Sequence, residues 1–238
     1  MASRTVLITG ATSGIGLALY EKYLAEDYNV IACGRDKNKL EKLCNKAAKT
    51  IVFDMTQPTQ IASVAEDIAD IDILILNAGD CRYIDDAKRF DGKLFSDIIS
   101  TNLSSLGALL QYFLPLVNKG GQVVFVSSSA TIVPFPRSEA YGASKAGMDY
   151  LANSLRLDLV CEDIGVTLVH PGFIKTPLTD KNTFQMPFLL SSEEAASRIF
   201  TGVKRRSTYL QFPKRLTFIL KLFSFLPSAL WQSIILRK

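Results

Sequence analysis

The sequence predicts an α/β fold built on a doubly wound parallel sheet of about seven strands, with helices on both faces. Three observations predict it. Short strand-like runs alternate with helical patterns through the 238 residues, the order expected of successive β-α-β units. Runs such as Ile73-Leu74-Ile75-Leu76 and Val123-Val124-Phe125-Val126 are continuously apolar, as strands buried on both faces require. Finally, Thr5-Val6-Leu7-Ile8 leads directly into Thr9-Gly10-Ala11-Thr12-Ser13-Gly14-Ile15-Gly16, a buried strand followed by a glycine-rich turn and a helix start.

In chain order, strands are predicted at 5–9, 29–33, 50–54, 72–76, 122–127 and 166–170, with a weaker one at 208–211. Helical patterns fill 15–26, 36–48, 57–69, 92–118, 139–162 and 191–205; the first runs through Leu17, Leu19, Tyr20, Tyr23 and Leu24. No repeat, low-complexity segment or long linker divides the chain. Residues 1–205 form the expected α/β body, and 206–238 a basic, apolar helical extension of the same domain.

Composition narrows the class. Hydrophobic residues make up 48% and charged residues 21%, ample for a core and ordinary for a soluble protein. The glycine-rich strand and turn start almost at Met1, leaving no room for a cleavable signal pattern, so a cytoplasmic protein is expected. Cys33, Cys44, Cys81 and Cys161 have no metal-binding spacing and read as reduced thiols. The single histidine, His170, makes neither a metal site nor a Ser-His-Asp triad by itself. Nine basic residues and no acidic one follow Glu194, whereas the first 194 residues hold 18 basic against 23 acidic, a net −5. That asymmetry points to an anionic partner of the C-terminal segment; no nucleic-acid-binding function is read from it.

In a doubly wound sheet the ligand lies at the C-terminal strand ends, which makes those ends informative. The Gly10–Gly16 turn lets the backbone approach a phosphate, and the helix N-terminus behind it favours an anion. The second strand ends in Cys33-Gly34-Arg35: no acidic residue stands where one would grip a ribose 2′-hydroxyl, and Arg35 suits a 2′-phosphate with no carboxylate expected nearby. Asp54, Asn77-Ala78-Gly79, Ser127-Ser128-Ser129 and His170-Pro171-Gly172 end the following strands. Tyr141 and Lys145, four apart on one helical face, offer a phenol whose ionisation a nearby ammonium would favour, a tuned general acid/base.

Taken together, Thr9–Gly16, Asp54, Asn77-Ala78-Gly79, Thr101-Asn102-Leu103, the serine triplet, Tyr141-x-x-x-Lys145 and Pro171-Gly172-Phe173-Ile174-Lys175-Thr176 resemble the short-chain dehydrogenase/reductase family over about residues 3–205. The resemblance implies a Rossmann-like fold and a catalytic tetrad of Asn102, Ser128 (with Ser129 as the alternative), Tyr141 and Lys145. Tyr141 would exchange a proton with the substrate oxygen and Ser128 would polarise that oxygen. Lys145 would depress the phenol and bind the nicotinamide ribose, and Asn102 would hold a water. It also implies cofactor contacts from Gly10, Ser13, Ile15, Gly16, Arg35, Asp54, Met55, Asn77, Ala78, Gly79, Tyr141, Lys145, Ile174 and Thr176, and no metal. NADP(H) is the expected cofactor, with NAD(H) as the alternative. Position 13 is Ser rather than the basic residue of many NADP-preferring relatives, so that preference rests on Arg35. The family's common Asp-Gly-Gly ending is absent, and a homodimer is expected rather than the usual tetramer.

The substrate side is read from two apolar stretches. Residues 178–190, with Phe184, Met186, Pro187, Phe188, Leu189 and Leu190, occupy the position of the family's lid and imply a hydrophobic carbonyl or alcohol substrate, unless they pack on the core. In the tail, Lys214, Thr217, Lys221, Ser224 and Ser228 form a narrow polar stripe on an otherwise apolar helix, followed after Pro227 by a shorter helix with Trp231. The expectation is that residues 212–238 pack over the substrate pocket or a partner copy, with peripheral membrane contact as the alternative. In function, the alternatives to a carbonyl reductase are a non-catalytic NADP(H)-binding regulator and a membrane-surface lipid reductase.

Overall fold

Residues 3–43, 48–182 and 184–236 are described by a computed structural model. Cys44, the 44–47 part of the predicted second helix, and the terminal Arg237 and Lys238 lie outside the described residues.

Seven parallel strands form one sheet: β1 (Thr5–Thr9), β2 (Asn29–Gly34), β3 (Ala48–Val52), β4 (Ile71–Leu76), β5 (Val117–Val126), β6 (Gly165–Pro171) and β7 (Tyr209–Phe212), in the order β3-β2-β1-β4-β5-β6-β7. Alternate side chains go to opposite faces, so β1 sends Val6 and Ile8 to one hydrophobic layer and Leu7 to the other. The first layer is covered by α1 (Gly14–Ala25) and α7 (Ser192–Lys204), which meet through Tyr23 and Phe200. The second is covered by α3 (Pro58–Ala65), α5 (Ser105–Phe113) and α6 (Glu139–Asp158) through Ile61, Leu106, Phe113, Met148 and Ala152. The remaining helices are α2 (Lys37–Glu41), α4 (Gly92–Ile99), which packs on α6, and the C-terminal pair α8 (Lys214–Ser224) and α9 (Ser228–Ile235). Strand order reverses between β1 and β4, which opens a crevice at their C-terminal ends.

Three element predictions are corrected. The helix expected over 92–118 is α4, a π-helical stretch at Ser100–Ser104, α5 and a short 3-10 turn, after which β5 begins at Val117. The wider π turn carries the buried Asn102 side chain toward Asp80 and Ser144, contacts that no local sequence signal encodes. The third strand runs two residues earlier than predicted, so Asp54 sits beyond the strand on a turn tied by Thr56 rather than closing the strand. In α8 the polar stripe is split: Lys214 and Ser224 are exposed, whereas Thr217 is fully buried and Lys221 lies 4.7 Å over the Tyr209 ring, and Phe218, Leu222 and Phe225 point outward.

Candidate active site

The crevice begins where β1 and β4 are stitched together. Thr9 Oγ1 accepts hydrogen bonds from the backbone N–H groups of Asn77 (3.0 Å) and Ala78 (3.1 Å), and Asn77 Nδ2 donates to Thr9 O at 3.0 Å. Gly10 bends away with φ +68°, and a Cβ there would stand 2.9 Å from Ala78 Cα. The α1 N-terminus opens into the crevice with no acidic residue in its first turn and with Ser13 as a cap that makes no side-chain bond to the helix. Thr176, on the loop after β6, arches over Gly14. A cavity of about 1030 Å³ runs from this helix end to Arg35 on one side and to Ser128, Tyr141 and Lys145 on the other.

Of the predicted residues, Gly10, Ser13, Ile15, Arg35, Asp54, Met55, Asn77, Ala78, Gly79, Ser128, Tyr141, Lys145, Ile174 and Thr176 line this one cavity. Gly16 and Asn102 do not. A Cβ on Gly16 would fall 2.1 Å from Gly10 O, so this glycine lets α1 sit against the turn and does not itself reach a ligand. Asn102 is fully buried; its Oδ1 accepts from Asp80 N (2.8 Å) and its Nδ2 donates to Asp80 O (2.8 Å) and Ser144 Oγ (3.0 Å). It braces the floor beside Gly79, behind which Lys145 Nζ lies.

The three serines separate cleanly. Ser127 is buried and bonds Asp149 Oδ1, Ser129 is buried, and Ser128 is half-buried in the cavity wall that Tyr141 also lines. Loss of water raises the Tyr141 phenol well above its ordinary range, Cys81 adds to the rise, and the nearby Ser128 hydroxyl opposes it. Lys145 Nζ donates to Val126 O at 2.8 Å and stands 6.0 Å from the Tyr141 ring centroid. Burial lowers the ammonium to about 8, with Asp149 and then Cys81 holding it up. In this arrangement desolvation, rather than the depression expected from Lys145, sets the direction of the Tyr141 shift, and the phenol is a protonated donor.

At the other end, a carboxylate does stand near Arg35, contrary to expectation. Arg35 Nη1 lies 4.0 Å from Asp54 Oδ2, and Asp36 lines the same wall together with Lys39, 3.7 Å from it. Partial burial pushes Asp54 up, but the two Thr56 hydrogen bonds and Arg35 outweigh it and hold the carboxyl below its ordinary range.

Sequence reasoning missed several neighbours. Asp149 Oδ2 lies 2.8 Å from His170 Nε2, and His170 Nδ1 lies 2.9 Å from the Tyr209 hydroxyl, so the lone histidine belongs to a polar chain behind Lys145. Only the i+4 spacing of Lys145 and Asp149 on α6 hinted at the link. Tyr83 ties the lid down: its hydroxyl donates to Asn182 Oδ1 at 3.0 Å and its ring meets Phe184 at 6.2 Å. Phe184, Phe188 and Leu189 remain exposed rather than joining the core.

Comparison with known proteins accounts for this geometry. The family model described as short chain dehydrogenase matches residues 4–186. The chain belongs to the short-chain dehydrogenase family. It is thus an oxidoreductase that works on a CH–OH or C=O group with a nicotinamide cofactor. An uncharacterized oxidoreductase of Myxococcus xanthus is 31% identical over 98% of this chain and 96% of its own length. Serine 3-dehydrogenase of Agrobacterium fabrum is 32% identical over 84% of this chain and 82% of its own. Among solved structures, a short chain dehydrogenase from Burkholderia cenocepacia in complex with NADP superposes with a TM-score of 0.88 at 24% identity, over 99% of this chain and 98% of that one, a likeness of fold.

Proposed function

We propose that the protein is an NADP(H)-preferring reductase of a carbonyl on a hydrophobic small molecule, or a dehydrogenase of the matching alcohol, with Tyr141 as general acid/base. The observation that carries the reading is convergence: Ser128, Tyr141 and Lys145 share one cavity with the acid-free N-terminus of α1 and with Arg35. The residues fit a dinucleotide, because the Gly10 turn, held at a positive φ against Ala78, leads into an acid-free α1 N-terminus that opens into the cavity. Ser13 and the first N–H groups of α1 would hold the phosphates, Arg35 with Lys39 the 2′-phosphate, and Ile174 and Thr176 the carboxamide. A nicotinamide dinucleotide bound there supplies the hydride.

In the reducing direction Tyr141 gives its proton to the substrate oxygen. The Ser128 hydroxyl donates to the same oxygen as negative charge develops on it. Lys145, held by Val126 O, presents a positive charge that offsets the phenolate left on Tyr141. Alcohol oxidation reverses each step. Tyr83, Phe173 and Phe184 beside the lid support an apolar substrate, since Phe184 packs on both other rings. NAD(H) use has one observation in its favour, the Asp54 carboxylate beside Arg35. A homodimer through α6 is supported by the exposed Tyr150 and Leu157, with Val160 just beyond the helix end, on one side of it.

The test is NADPH oxidation followed with a series of ketones and aldehydes of increasing apolar size, beside the same series with NADH. Turnover rising with apolar size and faster with NADPH is the expected outcome. Activity confined to small polar carbonyls would remove the hydrophobic-substrate reading, and equal rates with both cofactors would remove the preference.

A further inference from the structure

The C-terminal helix pair carries apolar side chains on its outer side as well as on its inner one. Its inner side joins the body: Leu216, Leu220 and Trp231 pack with Val133, and Trp231 Nε1 donates to Pro134 O at 2.8 Å. The same side also buries Thr217, whose hydroxyl is satisfied by the Lys214 carbonyl at 3.2 Å, and draws Lys221 onto the Tyr209 ring. Apolar residues are left outside instead, with Phe218 70%, Leu222 58% and Phe225 85% exposed, joined by Leu230, Ile234 and Leu236. Among the described residues, seven of the fifteen exposed large apolar side chains lie between 218 and 236, and three more are in the lid. Phe173 links the two regions from the inner side: it packs on the Leu216–Trp231 cluster and meets Phe184 of the lid at 6.0 Å. An apolar surface of this kind, left by both folding and capping, marks a docking face.

We infer that the outer face of α8 and α9, with the adjoining lid, docks on the surface of a bilayer that contains anionic phospholipid, so that the active-site mouth opens at the membrane. Charge selects this occupant. Lys214 and Arg215 are exposed at the head of the apolar strip, and no acidic residue follows Glu194. A second copy on the same face would bring two such acid-free, basic segments together across a two-fold axis, where like charges oppose contact. The helices lie on the bilayer rather than cross it: among the described residues no helix is long and apolar enough to span. Docking rests on the hydrophobic-substrate reading only for what would be drawn from the bilayer, not for the contact itself.

The experiment is flotation of the full chain with vesicles of phosphatidylcholine plus phosphatidylserine, and with vesicles of phosphatidylcholine alone, without cofactor or substrate. The expected result is partition onto anionic vesicles on the order of tenfold above neutral ones, weakened by high salt. Phe218→Ser/Leu222→Ser/Phe225→Ser should lower it roughly a hundredfold. Lys214→Gln/Arg215→Gln should lower it on the order of tenfold and abolish its salt dependence. Because every substituted side chain is exposed, NADPH binding by the variants should match the wild type and report the fold. Wild-type protein that stays unbound on anionic vesicles overturns the inference, as does a triple serine variant that floats like the wild type. A solution dimer that the serine variant dissociates would assign the face to a second copy instead. Vesicle binding by a protein that fails to bind NADPH would break the enzymatic reading and leave the docking face standing.

Discussion

The two ends of the cavity are built in opposite ways. At the catalytic end, Lys145 and Asn102 are buried and each polar group is engaged by a backbone or side-chain partner from a distant part of the chain. At the Arg35 end, the guanidinium side chain is 71% exposed and its counter-ion stands 4.0 Å away, outside close hydrogen-bond range. A buried, satisfied network fixes atom positions within a narrow range, because any displaced polar group loses its partner in a medium without water. An exposed ion pair does little of that, being screened and free to rearrange. The chemistry therefore has a rigid frame, whereas cofactor choice rests on a soft one. Substitutions should cost far more at the first end than at the second.

The largest expected effect follows from Tyr141→Phe. The ring and its packing remain, the proton donor disappears, and turnover should fall by about 10²–10⁴-fold while NADPH affinity is retained. Stopped turnover with unchanged cofactor fluorescence titration is the pattern to look for; turnover near the wild-type level would remove Tyr141 from the chemistry.

Next in size is the effect of the polar chain behind Lys145. Lys145 is held near 8 by burial, so its charge is present below that pH and lost above it. The phenol, pushed upward, keeps its proton throughout this range. Carbonyl reduction should therefore be flat at lower pH and decline as pH rises through about 8. Asp149 is the group that holds the ammonium up, so Asp149→Asn should move the decline to lower pH and reduce kcat on the order of tenfold at neutral pH. A profile that keeps its position in Asp149→Asn would show that the Asp149–His170 pair serves packing alone.

How far this contrast was legible in the sequence depends on where each signal is written. Local signals were readable: Val123–Val126 is wholly buried as its unbroken apolar run required, and the Gly10–Gly16 turn sits where a strand runs into a helix. The π turn at Asn102 was not, because it depends on partners 22 and 42 residues away and Ser100-Thr101-Asn102 contains no helix breaker. The inward turn of Thr217 escaped for the same reason. A polar stripe on an isolated helix reads as the wet face, and only the packing of Leu216 and Leu220 on Val133 and of Lys221 on Tyr209 turns its middle inward. Arg35 was visible, but Asp54 came near it only through a turn beyond the shifted third strand.

At the soft end the expected effects shrink. Arg35→Ala removes one charge-assisted contact to a 2′-phosphate and should lower the NADPH-over-NADH preference on the order of tenfold, with NADH binding little changed. Comparing the two dissociation constants in wild type and variant checks it. An unaltered ratio would pass the selection to Lys39, the other cation on that wall.

Asp54→Asn should act in the opposite sense and least of all. The substitution keeps an acceptor at Oδ1 for the Thr56 N–H and hydroxyl, which lie at 2.9 and 2.8 Å, so the turn that carries residue 54 is preserved. What it removes is a negative charge 4.0 Å from Arg35, one that both occupies the guanidinium and repels an incoming phosphate. Exposed pairs of this kind are worth about 0.2–1 kcal/mol, so NADPH affinity should rise by no more than about fivefold and the gain should fade with added salt. NADH, which carries no 2′-phosphate, should not share the gain. Its binding would weaken instead if the Asp54 carboxylate, rather than Arg35, were the group that meets the adenosine ribose. Titrating both cofactors at low and high ionic strength separates these outcomes, and a parallel gain for NADH would show that Arg35 is not reading the phosphate.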